Sequence, residues 1–185
     1  MLFDCGVPYS KIKKELYGIR YLLITHAHGD HLNKRTFEAI NRDFPRVVTV
    51  GNWDVGYKVR LNKTVGDETV LKLADRTITS FPCLHDVPTH GYVVSNKNHS
   101  IIYATDTATL EHAPKIKYDL MLLESNHDET KIEQIRFTSR KEYGYDAWKG
   151  AMRHLSTQKS KAFYYLHRRN PQTEWVELHK SERFY

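Results

Sequence analysis

Three histidines and an aspartate crowd into the run Thr25-His26-Ala27-His28-Gly29-Asp30-His31. Imidazole and carboxylate are the side chains that hold zinc and related divalent cations. His26 and His28 stand two apart on an extended backbone, so a locally curved loop brings both rings to one ion. Asp30 and His31 enter the segment that follows and can face another ion. Random polar loops seldom carry this set at this spacing, and metal chelation is the economical reading. The chain has eleven histidines in 185 residues, so the question is which of the others converge on this loop.

The elements around the cluster suit that task. Tyr21-Leu22-Leu23-Ile24 is a short apolar run of the kind found in a strand buried on both faces, and it delivers the chain directly into the histidines. Upstream, Met1 to Gly6 reads as a strand meeting a turn, Ser10 can cap a short helix carrying Ile12 and Leu16, and Gly18 ends it. Helical spacing resumes at Phe37, Ile40 and Phe44 until Pro45 blocks it, and Val47 to Val50 gives another strand. A second helix is expected over 52–61. Residues 69–73, 77–81, 91–95 and 101–104 alternate like consecutive antiparallel strands. Tyr118 to Leu123 reads as a buried strand, 145–155 as helix, Ala162 to Leu166 as strand, and Trp175 to Leu178 as a final strand. With no internal repeat and no Pro/Gly/Ser-rich linker, one α/β domain spanning 1–185 is expected, its mixed sheets covered by helices.

Composition narrows the classes. A chain with 40% hydrophobic and 27% charged residues is an ordinary globule rather than a disordered one. No apolar run approaches the ~20 residues that span a bilayer, and the N-terminus lacks a secretory pattern, so a cytoplasmic setting without a membrane partner is expected. Cys5 and Cys83 are far apart in sequence and read as small core residues, excluding a disulfide framework or a Cys-rich zinc site. The net charge of +6 permits a polyanionic partner without requiring one.

The pattern His26-x-His28-x-Asp30-His31 after an apolar strand resembles the signature of the metallo-β-lactamase fold, an αββα sandwich. The resemblance extends to Asp4, matching an early aspartate that supports the ligand loop by hydrogen bonds, and to His85, Asp106 and His167. It implies one metal held by His26, His28, His85 and Asp106, and a second held by Asp30, His31, Asp106 and His167. Two divalent cations, with Zn2+ expected first and Mn2+ as the alternative, would sit roughly 3.5–4 Å apart and deprotonate a water bridging them. Asp30 would orient that hydroxide or take its proton.

Further motifs resemble the phosphodiesterase branch that includes the YycJ/WalJ-like exonucleases, with a short phage-type member as a variant. They are His85-Asp86, Gly91-Tyr92, Ala104-Thr105-Asp106, Leu123-Glu124-Ser125-Asn126-His127-Asp128 and His154-Leu155-Ser156. In that branch an extra histidine near the metals serves the substrate; His154 is the stronger candidate to bind a phosphate oxygen or protonate the leaving oxygen, and His127 belongs at the rim. Lys159, Lys161, Arg168 and Arg169 could line a basic edge for a phosphate backbone. The resemblance thus implies a di-metal phosphodiesterase acting on nucleic acid as a nuclease. A cyclic-nucleotide phosphodiesterase of the phage anti-defence type and a non-catalytic, metal-containing nucleic-acid-binding module are the alternatives. Two departures accompany it. Family members normally begin with one or two more strands before the position of Leu2, so the fold is expected to be shortened there: a compact variant, a start chosen too late, or a homodimer whose partner supplies the edge strand. And Arg168-Arg169-Asn170 stands where a double asparagine is expected after the last histidine, which points to a different substrate shape.

Overall fold

The computed structural model describes residues 1–185, the side chain of Ser139 excepted. Strands β1 (Leu2–Phe3), β2 (Tyr21–Leu23), β3 (Val48–Gly51) and β4 (Lys63–Thr64) form one parallel sheet in that order. The second sheet runs β10 (Glu174–Leu178), β9 (Leu120–Glu124), β8 (Ser100–Ala104), β7 (Thr89–Ser95), β6 (Thr77–Cys83), β5 (Val70–Lys72). From β5 to β8 successive strands pair antiparallel, as the alternation of the sequence implies, while β8, β9 and β10 pair parallel.

The expectation that Tyr21 to Ile24 is buried on both faces holds for Leu22, Leu23 and Ile24, while Tyr21 is partly buried. Leu23 packs between the sheets with Val50, Ile78, Tyr92 and Val94. Leu22 and Ile24 point the other way, onto Phe37 and Ile40 of α2 (Lys34–Asp43) and Val55 of α3 (Trp53–Lys58). Successive side chains of a strand alternate between faces, so such a run must be apolar throughout. On the far side, Ile102, Met121 and Leu123 of the second sheet pack against Leu155 and Phe163. The layers are therefore helix, sheet, sheet, helix. The side chain of Asn33 accepts from the Thr36 amide and caps α2, and Asn52 accepts from Val55 and caps α3.

Helix α1 (Tyr9–Ile12) begins after Pro8 rather than at a Ser10 cap, and passes into a 3-10 turn over Lys13–Leu16. The helix expected over 52–61 stops at Lys58, and the short strand β4 follows. The 145–155 expectation shrinks to α6 (Ala147–Ala151), which packs with α4 (Glu129–Gln134) and follows α5 (Ser139–Tyr143). The largest correction concerns Ala162 to Leu166, which belongs to helix α7 (Thr157–His167) and not to a strand. The aromatic triplet there favours strand locally, yet Ser156 caps the segment by accepting from the Lys159 amide and Phe163 packs into the core below. Capping and tertiary packing outweigh the weaker propensity. Among the described residues no helix is long and apolar enough to cross a membrane.

Candidate metal centre

Most polar residues of the centre follow the C-terminal end of a strand; His154 instead lies between α6 and α7. Asp4 follows β1, His26 follows β2, His85 follows β6, Asp106 follows β8, Glu124 ends β9 and His179 follows β10. Because β6, β8, β9 and β10 all run the same way, their ends collect on one edge of the second sheet, where an α/β layer commonly binds its ligands. Asp4, Asp106 and His179 all adopt left-handed backbone, with φ of 58°, 51° and 52°. Non-glycine residues avoid that region unless the surroundings impose it, and it tends to mark functional turns.

The ligand loop is held from below. Asp4 Oδ1 accepts from the Thr25 amide at 2.8 Å, and Asp4 Oδ2 accepts from His31 Nδ1 at 2.9 Å and from the Tyr103 hydroxyl at 3.2 Å. This is the supporting part expected of it. Gly6 has to be glycine, since a Cβ there would meet the Asp30 carbonyl oxygen at 1.6 Å. Above this frame His26 Nε2 and His28 Nδ1 lie 3.1 Å apart, and the rings of both stand 5.3 Å and 5.2 Å from that of His85. Two nitrogens bound to one tetrahedral Zn2+ at 2.0–2.1 Å are separated by roughly 3.3 Å, so the pair already matches that edge. His85 Nδ1 is buried without a partner. Burial, helped by the charge on His31, pushes His26 down to about 3, and burial also lowers His85. Both rings are neutral at physiological pH, the form that ligates metal.

Asp106 links His26 and His31 to a further set of donors. It is 3% exposed, its Oδ2 lies 3.0 Å from His31 Nε2, and its Oδ1 lies 3.0 Å from His179 Nδ1. Burial raises its affinity for a proton, but hydrogen bonds from His179 and His31 outweigh burial and hold it far below the usual carboxylate range. Conversely, those bonds lift both histidines to about 10: for His31 against the opposing effect of burial, for His179 chiefly through Asp106 and then Glu124. Asp30 stands at the exposed rim with Oδ2 3.5 Å from His31 Nε2. Glu124 is fully buried: its Oε1 accepts from His154 Nδ1 at 2.7 Å and His179 Nδ1 at 2.9 Å, and its Oε2 from the amides of Thr107 and Leu155 at 2.8 Å and 3.2 Å. The donor atoms of Asp106, Glu124, His154 and His179 all lie within 4.8 Å of one another, as do those of His26, His31 and Asp106. The residues present thus fit two cations sharing Asp106.

Of the residues singled out in the sequence, His26, His28, His31, His85 and Asp106 converge, with Asp30 on the rim and His154 against Asp106 and Glu124. His167 does not join them. It ends α7, stacks on Phe163 at 4.3 Å and donates from Nδ1 to the Ile116 carbonyl at 3.0 Å. A histidine at the end of a strand over 162–166 would have reached the centre, whereas the helix turns it away. His179 lies in the cluster instead, and its signal was available: it directly follows the strand expected over Trp175 to Leu178. His127 is 2% exposed and lines a cavity beside His154 without joining the ligand cluster. Of the basic edge, Arg169 is spent on Asp119 at 2.8 Å, and the Arg168 guanidinium lies 4.8 Å over the Tyr165 ring.

Residues 2–168 match the family described as the beta-lactamase superfamily domain. No curated protein matches. Among solved structures, the metallo-beta-lactamase fold protein YhfI of Bacillus subtilis is similar with a TM-score of 0.68 at 14% identity, covering 97% of this chain and 73% of that one. The short form of human tRNase Z is similar with a TM-score of 0.62 at 17% identity, covering 98% of this chain and 81% of its own. A diphosphatase from the PhnP family gives 0.62 at 15% identity, covering 98% and 69%. These likenesses establish the fold, which implies divalent metal ions, and with the match over nine-tenths of its length the chain belongs to the beta-lactamase superfamily.

Proposed function

We propose that this protein is a di-metal phosphodiesterase and a nuclease, as the YycJ/WalJ-like resemblance suggests. The observation that carries the reading is Asp106, shared between a set with His26 and His31 and a second set with Glu124, His154 and His179, while His26 also belongs to the trio with His28 and His85. His26, His28, His85 and Asp106 would hold one cation; Asp30, His31, Asp106 and His179 the other, with zinc or manganese suiting this mixed donor set. Bound there, two cations supply an acidified water and positive charge for a phosphoryl oxygen.

The protein's own groups complete the reaction. Asp30, exposed at the rim, orients the attacking water and accepts its proton. Glu124 fixes the ring of His154 through Nδ1, which leaves Nε2 as the nitrogen that can carry a proton to the leaving oxygen. Glu124 thereby aligns a metal ligand and a proton donor with one carboxylate. The names of two fold neighbours, a tRNase and a diphosphatase, agree with phosphoryl chemistry, and the charge of +6 suits a polyanionic substrate.

The deciding experiment is hydrolysis of bis-p-nitrophenyl phosphate by zinc- or manganese-loaded protein, beside Asp106→Ala and EDTA-treated samples. Turnover abolished in both controls supports the reading, and folded, metallated protein without turnover overturns it. Binding that weakens steeply with salt then supports a nucleic-acid substrate; a shallow slope would point to a single-phosphate nucleotide instead.

A further inference from the structure

A cavity of about 330 Å3 opens beside His154, with α4 forming one wall, Met152 at the end of α6 another, and the first turn of α7 a third. Its size is at the lower end of small-ligand sites, enough for one nucleoside and not for a longer segment. The lining is divided by chemistry. Met152, exposed at the cavity, presents apolar surface of the kind a base ring covers, with the buried Ile132 also in the lining. Glu129 and Glu133 supply carboxylate oxygens on the α4 side; each already accepts one or two bonds, Glu129 from the Ser156 hydroxyl at 2.6 Å and Glu133 from Arg136 and the Trp148 indole. A carboxylate has about four lone-pair positions, so both retain room for amino or hydroxyl donors.

Lys159 stands on the α7 side and, among the described residues, has no carboxylate within ion-pair distance. His127 is the sharpest sign. Its backbone is locked to the α7 cap by the Ser156 bridge and by the Thr157 amide donating to its carbonyl at 2.8 Å, yet its Nδ1 is buried without a partner. Buried polar atoms are ordinarily satisfied, and an orphan beside a cavity calls for a ligand. Two carboxylates would repel a bare phosphate, so phosphate alone is not the fitting occupant.

We propose that this cavity is a nucleoside subsite, receiving the nucleoside on the leaving side of the scissile phosphate. The base lies on Met152, its polar edge meets Glu129, Glu133 and His127, and Lys159 faces the neighbouring phosphate. The proposal rests on the phosphodiesterase reading and adds the identity of the leaving group. As the phosphorus–oxygen bond breaks and the water oxygen bonds to phosphorus, the leaving nucleoside oxygen takes the proton from Nε2 of His154, a residue of the cavity lining.

The test is a titration of 15N-labelled, metal-loaded protein with AMP, CMP, ribose 5-phosphate and inorganic phosphate, reading affinity by calorimetry and the Trp148 indole N–H by NMR. That indole donates to Glu133, which lines the cavity, and so reports occupancy. Nucleoside monophosphates are expected to bind at least ~10-fold more tightly than ribose 5-phosphate and to shift the Trp148 signal, with both effects lost in Met152→Glu at a half-exposed position. Equal affinities, or a preference that survives Met152→Glu with Trp148 unmoved, would overturn the subsite. Failure of the two readings is distinguishable: absent turnover of bis-p-nitrophenyl phosphate counts against the phosphodiesterase, whereas turnover without any nucleoside preference counts against the cavity alone.

Discussion

Replacing His179 and His167 separately by alanine should divide metal binding from structure. His179 Nδ1 is shared by Asp106 and Glu124 at 3.0 Å and 2.9 Å, so His179→Ala removes one of four protein ligands proposed for the second cation. Losing a residue that merely orients a ligand typically weakens metal affinity 10–100-fold, so loss of the ligand itself should reach at least the upper figure. A roughly 100-fold loss removes about 2.7 kcal/mol of metal-derived stabilisation at fixed metal concentration. For a chain of this length that is roughly 5–11 °C of melting temperature. His167→Ala loses one carbonyl hydrogen bond and two ring contacts, about 1–2 kcal/mol, whether or not metal is present. Metal content after dialysis, by elemental mass spectrometry, and melting curves with and without metal read both. The expected result is one cation retained by His179→Ala and two by His167→Ala, with the metal-dependent rise in melting temperature cut only in the former. Two cations in His179→Ala together with one in His167→Ala would refute the assignment outright.

Gly6→Ala should push the Asp30 carbonyl aside and lower second-site occupancy, because the added Cβ has no room; elemental analysis of the folded variant checks it, and unchanged occupancy would show that the loop yields freely. Metal uptake near pH 7 should release up to two protons, since His31 and His179, lifted to about 10, are charged without metal and must be neutral to ligate. Affinity should then climb up to ~100-fold per pH unit below that range; calorimetry in buffers of different ionisation enthalpy measures the release, and none would contradict the charged imidazoles. Cys5 and Cys83, whose thiols burial pushes to about 12, should resist a thiol reagent at pH 8 in native protein and both react in denaturant. Glu124→Gln should destabilise metal-free protein by about 3 kcal/mol, since two imidazole N–H groups lose a buried charged acceptor; chemical denaturation reads it, and a change under 1 kcal/mol would mean that the pair is screened.

What the sequence revealed and what it hid follow from one distinction. The ligand loop was legible because its determinants are local: an apolar run that must be buried on both faces, then donors at fixed spacing. The four antiparallel strands were legible for the same reason, through their period of two. The last histidine was not, because its identification depended on whether 162–166 is helix or strand, and that is settled by a Ser156 cap and by packing of Phe163 against Tyr118 and Leu155. Glu124 was visible within a motif, but its role depends on four donors from three separate segments. No spacing rule encodes such a convergence. Asp4 occupies the middle ground: its place after a strand was readable, while its hold on both Thr25 and His31 is a tertiary fact.

The charges at the centre bear on how it can exist before metal arrives. Asp106 and Glu124 are 3% and 0% exposed, and two carboxylates buried this close would repel strongly and lose hydration. His31 and His179, protonated without metal, supply two positive charges against them, and backbone amides of Thr107 and Leu155 satisfy the remaining oxygen of Glu124. Asp4, also buried and bonded to His31, is a third carboxylate in the cluster, so the two imidazolium charges offset most but not all of the negative charge. Metal then exchanges with protons rather than entering a vacant, charged hole, so affinity is set by the competition between the two. His26 and His85 have no such protons to lose, since burial keeps both neutral. That difference predicts an order of filling: at mildly acidic pH the trio should load first and the Asp106–His179 side second, visible as two separate inflections in a metal titration. A single inflection carrying both equivalents at pH 6 would mean that the shared carboxylate couples the two sites more strongly than the protons divide them.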